Sequence, residues 1–240
     1  MISYLKEQSF RELVGNTFRL YFGNFFRIVW AYFLLVFPFQ MITSIGAHFR
    51  IPALTIIGGI LVLVGSLFGA AVVTLLVSDI CLGNTPSLKR YFKRAFGTVL
   101  WKLLGTNILQ IIIITIGLIL LIVPGIIFML WFMVTVSVVI LEEQWGLDAL
   151  KRSKSLGKGY YLRNFCALSV LWIPITIVAG AIDVGILTMM EFGIFSEILI
   201  NLITIILTPL GLCAPVLMYY DLRVRKEAIN NEVLAEEMKR

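Results

Sequence analysis

Long apolar runs alternate with short charged segments along this chain, and that alternation sets its plan. Six runs are long enough to cross the roughly 30 Å hydrocarbon core of a bilayer as helices. They cover about residues 26–47, 53–80, 99–123, 125–141, 164–190 and 195–220. The stretch 99–141 needs a break, because one straight helix of that length would run about 65 Å, twice the core. Pro124-Gly125 predicts a turn there, since proline cannot continue the helical ladder and glycine permits a tight reversal.

Three charged segments carry a different period. Phe10, Leu13, Val14, Thr17 and Tyr21 share one helical face, with Arg11, Glu12 and Arg19 off it, and Ser9 with Glu12 fits a capping box. Thr85-Pro86 opens a second such helix, with Leu88, Tyr91, Phe92, Ala95 and Val99 on its apolar face. Its basic residues are Lys89, Arg90, Lys93 and Arg94. The third lies within EEQWGLDALKRSKSLGKGYYLRNF, from Asp148 to Leu156, and carries Lys151, Arg152 and Lys154. Gly23, Gly97, and Gly157 with Gly159, follow the three helices where C-caps are expected.

A shift of 136 residues lays Glu12 on Asp148, Thr17 on Ser153, Leu20 on Leu156 and Gly23 on Gly159. It also lays Arg27 on Arg163, Ala31 on Ala167, Leu35 on Leu171 and Pro38 on Pro174. The middle third matches less well. The expected plan is a single all-α membrane domain over 1–240, with three hairpins each preceded by an interfacial amphipathic helix. The units are 9–80, 85–141 and 146–220, with a tail over 221–240, and all run in one direction. Chance agreement between two apolar stretches is the alternative.

Composition fixes the class. Of 240 residues, 60% are hydrophobic and 14% charged, against about a quarter charged in an ordinary soluble domain. Mean hydropathy is +0.97. The net charge of +6 is explained by position rather than by a nucleic-acid partner. Lys6, Arg11, Arg19 and Arg27 lie before the first span or at its start; Lys89, Arg90, Lys93, Arg94 and Lys102 lie between the second and third or at the start of the third. Lys151, Arg152, Lys154, Lys158 and Arg163 follow the fourth, and Arg223, Arg225, Lys226, Lys239 and Arg240 follow the sixth. In a six-span arrangement only Arg50, of 20 Lys and Arg, falls on the other side. The positive-inside rule then puts both termini in the cytoplasm, and a prokaryotic plasma membrane is the expected location. The first apolar run is too long for a signal-peptide core and is expected to be a retained span.

No nucleophile elbow, zinc-protease motif, phosphate-binding loop or dinucleotide fingerprint is present, and one histidine, His48, sits without an acidic cluster. No catalytic residue, cofactor or metal is therefore expected. Cys81, Cys166 and Cys213 fit no metal spacing and are expected to pack as buried thiols. Asp79, Glu142 with Glu143, and Asp221 each close a hairpin on the basic side and are expected to pair with Arg27, Lys102 or Arg163. Asp183 lies in the fifth run; it either serves a path through the membrane or reaches the outer water interface near Glu191 and Glu197. Pro38, Pro174 and Pro209 interrupt spans, as in transporter binding sites and also in ordinary kinked helices. Gly65 and Gly69, with Gly58, make a small-residue seam for close helix contact.

The residues between 124 and 159 resemble a widespread prokaryotic family. They are Pro124-Gly125, Val139-Ile140-Leu141-Glu142, Gly146, Ala149-Leu150, Arg152-Ser153, Leu156 and Gly159; the ending Tyr219 to Glu227 is similar too. The family is the membrane domain found with some glycerophosphoryl diester phosphodiesterases, together with YciC-like membrane proteins. The resemblance implies a multi-pass membrane protein with no assigned activity. The phosphodiesterase reaction belongs to a separate soluble domain, which these residues are not expected to supply. The expected function is a non-enzymatic scaffold or accessory subunit whose basic face (Lys89, Arg90, Lys93, Arg94, Lys151, Arg152, Lys154) meets anionic lipid headgroups or a membrane-complex protein partner. Orientation alone also accounts for such a face. The alternative is a transporter or permease for a lipid or small amphiphile, with Asp183, Pro38, Pro174 and Pro209 on its path.

Overall fold

The computed structural model describes residues 4–189 and 193–227, with Thr98 described by its backbone alone. The described residues are helical and contain no strand. In chain order the helices are α1 (Phe10–Gly23), α2 (Phe25–His48), α3 (Pro52–Leu82), α4 (Leu88–Arg94) and α5 (Leu100–Leu120). They continue with α6 (Ile122–Trp131), α7 (Thr135–Leu141), α8 (Gly146–Gly157), α9 (Tyr161–Met189) and α10 (Ile194–Glu227). Six segments are long and apolar enough to cross a membrane: α2, α3, α5, α6 with α7, α9, and α10. The chain is an all-α, polytopic integral membrane protein. Met190, Glu191 and the tail from 228, with Lys239 and Arg240, lie outside the described residues.

The second spans of the three hairpins form the centre. α3, α7 and α10 pack on one another, and Leu76, Ile140 and Leu217 among them are fully buried. The first spans stand outside, and one cyclic rule places them. Each packs on the second span of its own hairpin and on that of the hairpin before it: α2 on α3 and α10, α5 on α6, α7 and α3, α9 on α10 and α6. The short helices lie against the hairpin before their own, with α1 against α9 and α10, α4 against α3, and α8 against α5, α6 and α7, where it also meets α10. Residues 136 apart share surroundings: Thr17 and Ser153, Leu20 and Leu156, Ala31 and Ala167, and Leu35 and Leu171 are buried. The outward faces keep large aliphatic side chains such as Ile111, Ile119 and Ile177, the pattern of helices that meet lipid tails.

Several boundaries differ from expectation. The reversal between α5 and α6 occurs at Leu121, in extended backbone (φ −161°, ψ 140°), not at Pro124-Gly125. Pro124 lies in the first turn of α6, where a missing N–H breaks no helical bond. Gly125 instead lets the arms close, since a Cβ there would stand 2.4 Å from the Leu118 side chain. The fourth span is broken after Trp131, and the freed Trp131 carbonyl accepts a hydrogen bond from Ser153 Oγ of α8 at 2.8 Å. The second short helix starts at Leu88, two residues after Pro86, and bends into α5 at Gly97 (φ −80°, ψ −141°). Gly157 ends α8 rather than stopping it; the left-handed residue is Gly159 (φ 92°).

The tightest seam joins α2 and α3. A Cβ on Gly58 would lie 2.7 Å from the Thr43 nitrogen and 2.9 Å from its Cα, and one on Gly65 would lie 2.7 Å from the Leu35 carbonyl. The small-residue stripe is thus spent inside the hairpin, at Gly58, Gly65 and Gly69. Gly58→Ala is expected to cost about 1–3 kcal/mol, because backbone has to move. Thermal unfolding in detergent reads this directly. Gly59 has nothing within 4 Å of its built Cβ, so Gly59→Ala is expected to be neutral or stabilising by at most about 1 kcal/mol.

Candidate functional site

The charged residues gather at one end of the bundle, where first spans begin and second spans finish. α10 is about 51 Å long at 1.5 Å per residue, well beyond the hydrocarbon thickness, so its last turns emerge there. Those turns carry Tyr219, Asp221, Arg223, Arg225 and Glu227.

Each inner span ends in a carboxylate that holds an amphipathic helix or the segment leading into it. Asp79, near the end of α3, has its side chain 7% exposed. Gly83 caps α3 in the left-handed conformation (φ 74°), and the chain returns so that Arg90 and Tyr91 both donate to Asp79 Oδ2. Asn84 Nδ2 donates to Oδ1 at 3.2 Å. Burial first, and then the bond to Asp79, push the Tyr91 hydroxyl above the ordinary tyrosine range, so it stays a donor.

Glu142, just past α7, does the same for α8. Arg152 grips it with two nitrogens, Nε to Oε2 at 2.8 Å and Nη2 to Oε1 at 2.9 Å, and Tyr219 Oη donates to Oε1 at 2.9 Å. Arg152 also pairs with Glu227, which accepts from Arg223 Nε at 2.8 Å, and Arg223 in turn donates to Tyr219 Oη at 3.3 Å. The five groups, Glu142, Arg152, Glu227, Arg223 and Tyr219, close a ring at the end of α10. Glu143 takes a left-handed conformation (φ 56°) that costs a non-glycine residue about 1–2 kcal/mol. Arg94 Nη2 holds its carboxylate at 3.0 Å and Lys102 Nζ holds its carbonyl at 3.1 Å.

Asp221 completes the cycle by reaching the start of the chain. Its side chain is fully buried; Oδ1 accepts from the Gln8 backbone N–H at 2.7 Å, and both oxygens accept from Arg225 Nε at 3.1 Å. Arg163 pairs with Oδ2. The Gln8 carbonyl receives Arg163 Nη1 at 3.0 Å and Arg225 Nη2 at 2.7 Å. α1 follows at once, capped by Ser9 and Glu12. Hydrogen bonds from Lys6 and then Ser9 hold the Glu12 carboxyl down at about 2.

The structure therefore brings Asp221 to Arg163, Glu143 to Lys102 and Arg94, Glu142 to Arg152, and Asp79 to Arg90. It does not bring Glu142 to Arg163. Arg27 has no ion pair among the described residues; α1 runs straight into α2, which leaves Arg27 exposed beside Phe22 and Phe26. Gln8, Tyr91, Tyr219, Arg223 and Glu227 were not expected at the site. Of these only Arg223 and Glu227, four apart on one helix face, leave a trace in the sequence.

The residues weighed for a path lie elsewhere. Pro38 and Pro174 are exposed on outward faces, whereas Pro209 is buried in α10. Asp183 is half-buried on α9, with Oδ1 closed off from solvent and without a hydrogen-bond partner. Cys81 and Cys213 are buried, but Cys166 is exposed on α9, because one side of an outer span faces away from the bundle. Of the basic residues, Lys89, Lys93, Lys151 and Lys154 are exposed, while Arg90, Arg94 and Arg152 are drawn into pairs.

Asp221→Asn leaves two arginines without their shared counter-charge in a buried setting. The expected loss is about 3–5 kcal/mol, seen as a fall in thermal stability and in yield of monodisperse protein. Asp148 pairs with Lys151 at 4.0 Å with both side chains more than three-quarters exposed, so Asp148→Asn is expected to change stability by less than about 1 kcal/mol.

No protein-family model, curated protein or solved structure matches this chain.

Proposed function

We propose that the bundle is a non-enzymatic membrane scaffold or accessory subunit whose charged end lies on the cytoplasmic leaflet and holds anionic lipid headgroups. One observation carries this reading: the carboxylates at this end are consumed by internal pairs, while Lys89, Lys93, Lys158, Arg11 and Arg19 stay exposed without an ion pair among the described residues. The outward charge is thus net positive where the spans leave the membrane. Exposed Phe22, Phe26, Phe96 and Trp101 stand beside these cations, as interfacial anchors do. Each cation near an anionic surface contributes about 1 kcal/mol. Cytoplasmic termini and a prokaryotic plasma membrane agree with the charge distribution along the chain. The likeness to the phosphodiesterase-associated and YciC-like membrane proteins belongs to the same proposal and brings no activity with it.

Purification in native nanodiscs, with mass spectrometry of what accompanies the protein, tests the reading. Anionic phospholipid is expected to be enriched over the bulk membrane, and changing Lys89, Lys93, Lys151 and Lys154 together to Gln should remove most of that enrichment. A cysteine at Lys151 should label from the cytoplasmic side only. Lipid composition equal to the bulk would sink the lipid role. A stoichiometric protein partner lost with the same four changes would move the face from lipid to protein.

A second reading, passage of a lipid or small amphiphile, is favoured by the buried, unpartnered oxygen of Asp183. It expects Asp183→Asn to abolish flux of a labelled phospholipid in proteoliposomes; unchanged flux would remove the residue from any path.

A further inference from the structure

The basic end is not uniform. A cleft of about 420 Å³ lies where α6, α8 and α9 meet, lined by Trp131, Lys151, Lys154, Ser155, Lys158 and Tyr161. Its walls are fixed from three sides. Ser153 Oγ ties α8 to the Trp131 carbonyl at 2.8 Å, Lys154 Nζ sits 3.4 Å above the centre of the Trp131 ring, and Tyr161 Oη donates to the Lys154 carbonyl at 2.7 Å. Lys151 and Lys154 stand three apart on α8, and Lys158 follows directly after its last residue; all three line the cleft.

Two neighbouring clefts at the same end differ in one respect. The cleft on α1 contains Glu12, held by Lys6 at 2.8 Å, and the cleft on α4 contains Glu143, held by Arg94 at 3.0 Å. An anion entering either meets a carboxylate already in place. The α6–α8–α9 cleft has no acid in its lining. Lys158 has no ion pair among the described residues, and Lys151 reaches only Asp148, at 4.0 Å in solvent. The negative end of the α8 dipole is close, but three full cationic charges outweigh a half-charge. Within four residues of the cleft's Trp131 and Tyr161, Ile127, Leu162 and Phe165 are exposed along α6 and α9.

We propose that this cleft binds one anionic phospholipid, its phosphate among Lys151, Lys154 and Lys158, its glycerol region against Trp131 and Tyr161, and its chains along the outward seam of α6 and α9. This deepens the lipid-facing reading above and rests on it. The occupant is a lipid rather than a free phosphate because the three lysines stand on a largely apolar lining beside the exposed apolar side chains of α6 and α9.

Native mass spectrometry of the full chain in detergent, titrated in parallel with phosphatidylglycerol, phosphatidylethanolamine and phosphatidylcholine, tests it. One phosphatidylglycerol is expected to bind in preference to the other two. Lys151→Gln with Lys158→Gln should weaken it about thirtyfold, the effect of two cations near a phosphate. Lys89→Gln with Lys93→Gln, an equal loss of charge elsewhere, should leave it within about threefold. Both residues of each pair are exposed, and matched thermal stabilities would exclude a folding defect. Equal weakening by the two pairs would overturn the cleft while leaving the general basic face intact. Absence of any preference for phosphatidylglycerol in the unaltered chain would overturn both. Displacement of the lipid by millimolar inorganic phosphate would reassign the cleft to a free anion and overturn its lipid occupant.

Discussion

A carboxylate at the end of an apolar span has few places to go. Carrying it into the bilayer centre costs about 2.5–3.5 kcal/mol even on the most lenient scale, so donors have to meet it where it stands. Asp79, Glu142 and Asp221 are met in one way: each takes a donor from an amphipathic helix or from the segment leading into it. For α3 and α7 the donors come within about a dozen residues, after a left-handed cap at Gly83 or Glu143. For α10, Arg163 and Arg225 are joined by a donor from the beginning of the chain, the Gln8 backbone N–H. That last contact closes the three hairpins into a ring, because it sets α1 against the hairpin farthest from it in sequence.

The pairs are better understood as register than as net stability. Replacing a buried ion pair with apolar residues is often neutral or favourable, whereas breaking one is costly. An amphipathic helix lying at an interface has a greasy face that slides freely over neighbouring apolar surface. Arg152, gripping Glu142 with two nitrogens while its second partner Glu227 stands on α10, allows one position only. The Ser153 bond to the Trp131 carbonyl then has its partner in reach, and the break between α6 and α7 keeps its backbone satisfied.

Much of this was legible in the sequence, and what was not follows from the nature of the contacts. Hydrocarbon thickness acts on local composition, so six spans can be read from six runs. The carboxylates at span ends stood out because charge is scarce there. The expected partners differ from the observed ones for Asp79 and Glu142, and Arg27 takes no ion pair among the described residues, since a helical face says where a side chain points but not how far the preceding cap turns the chain. Asp221 finding a backbone N–H was beyond reach, because every residue but proline has one. Pro124-Gly125 looked like the reversal itself, yet Leu121 turns the chain, and the two residues serve the arm that follows: proline where no N–H is needed, glycine where Leu118 presses close.

Between residues 85 and 225 the basic residues divide by chemistry. Arg90, Arg94, Arg152, Arg163, Arg223 and Arg225 go to carboxylates, while Lys89, Lys93, Lys151, Lys154 and Lys158 stay outside, with Lys102 the exception. A guanidinium is planar and matches a carboxylate with two parallel bonds, so it suits a fixed internal geometry; an ammonium on a flexible stem is a hydrated point charge. The interior of this end is therefore a template and its exterior is a field. A field attracts an anionic leaflet without choosing among its lipids. Selection needs walls, and among the clefts compared at this end Trp131 and Tyr161 set aromatic walls beside lysines that no acid in the lining neutralises.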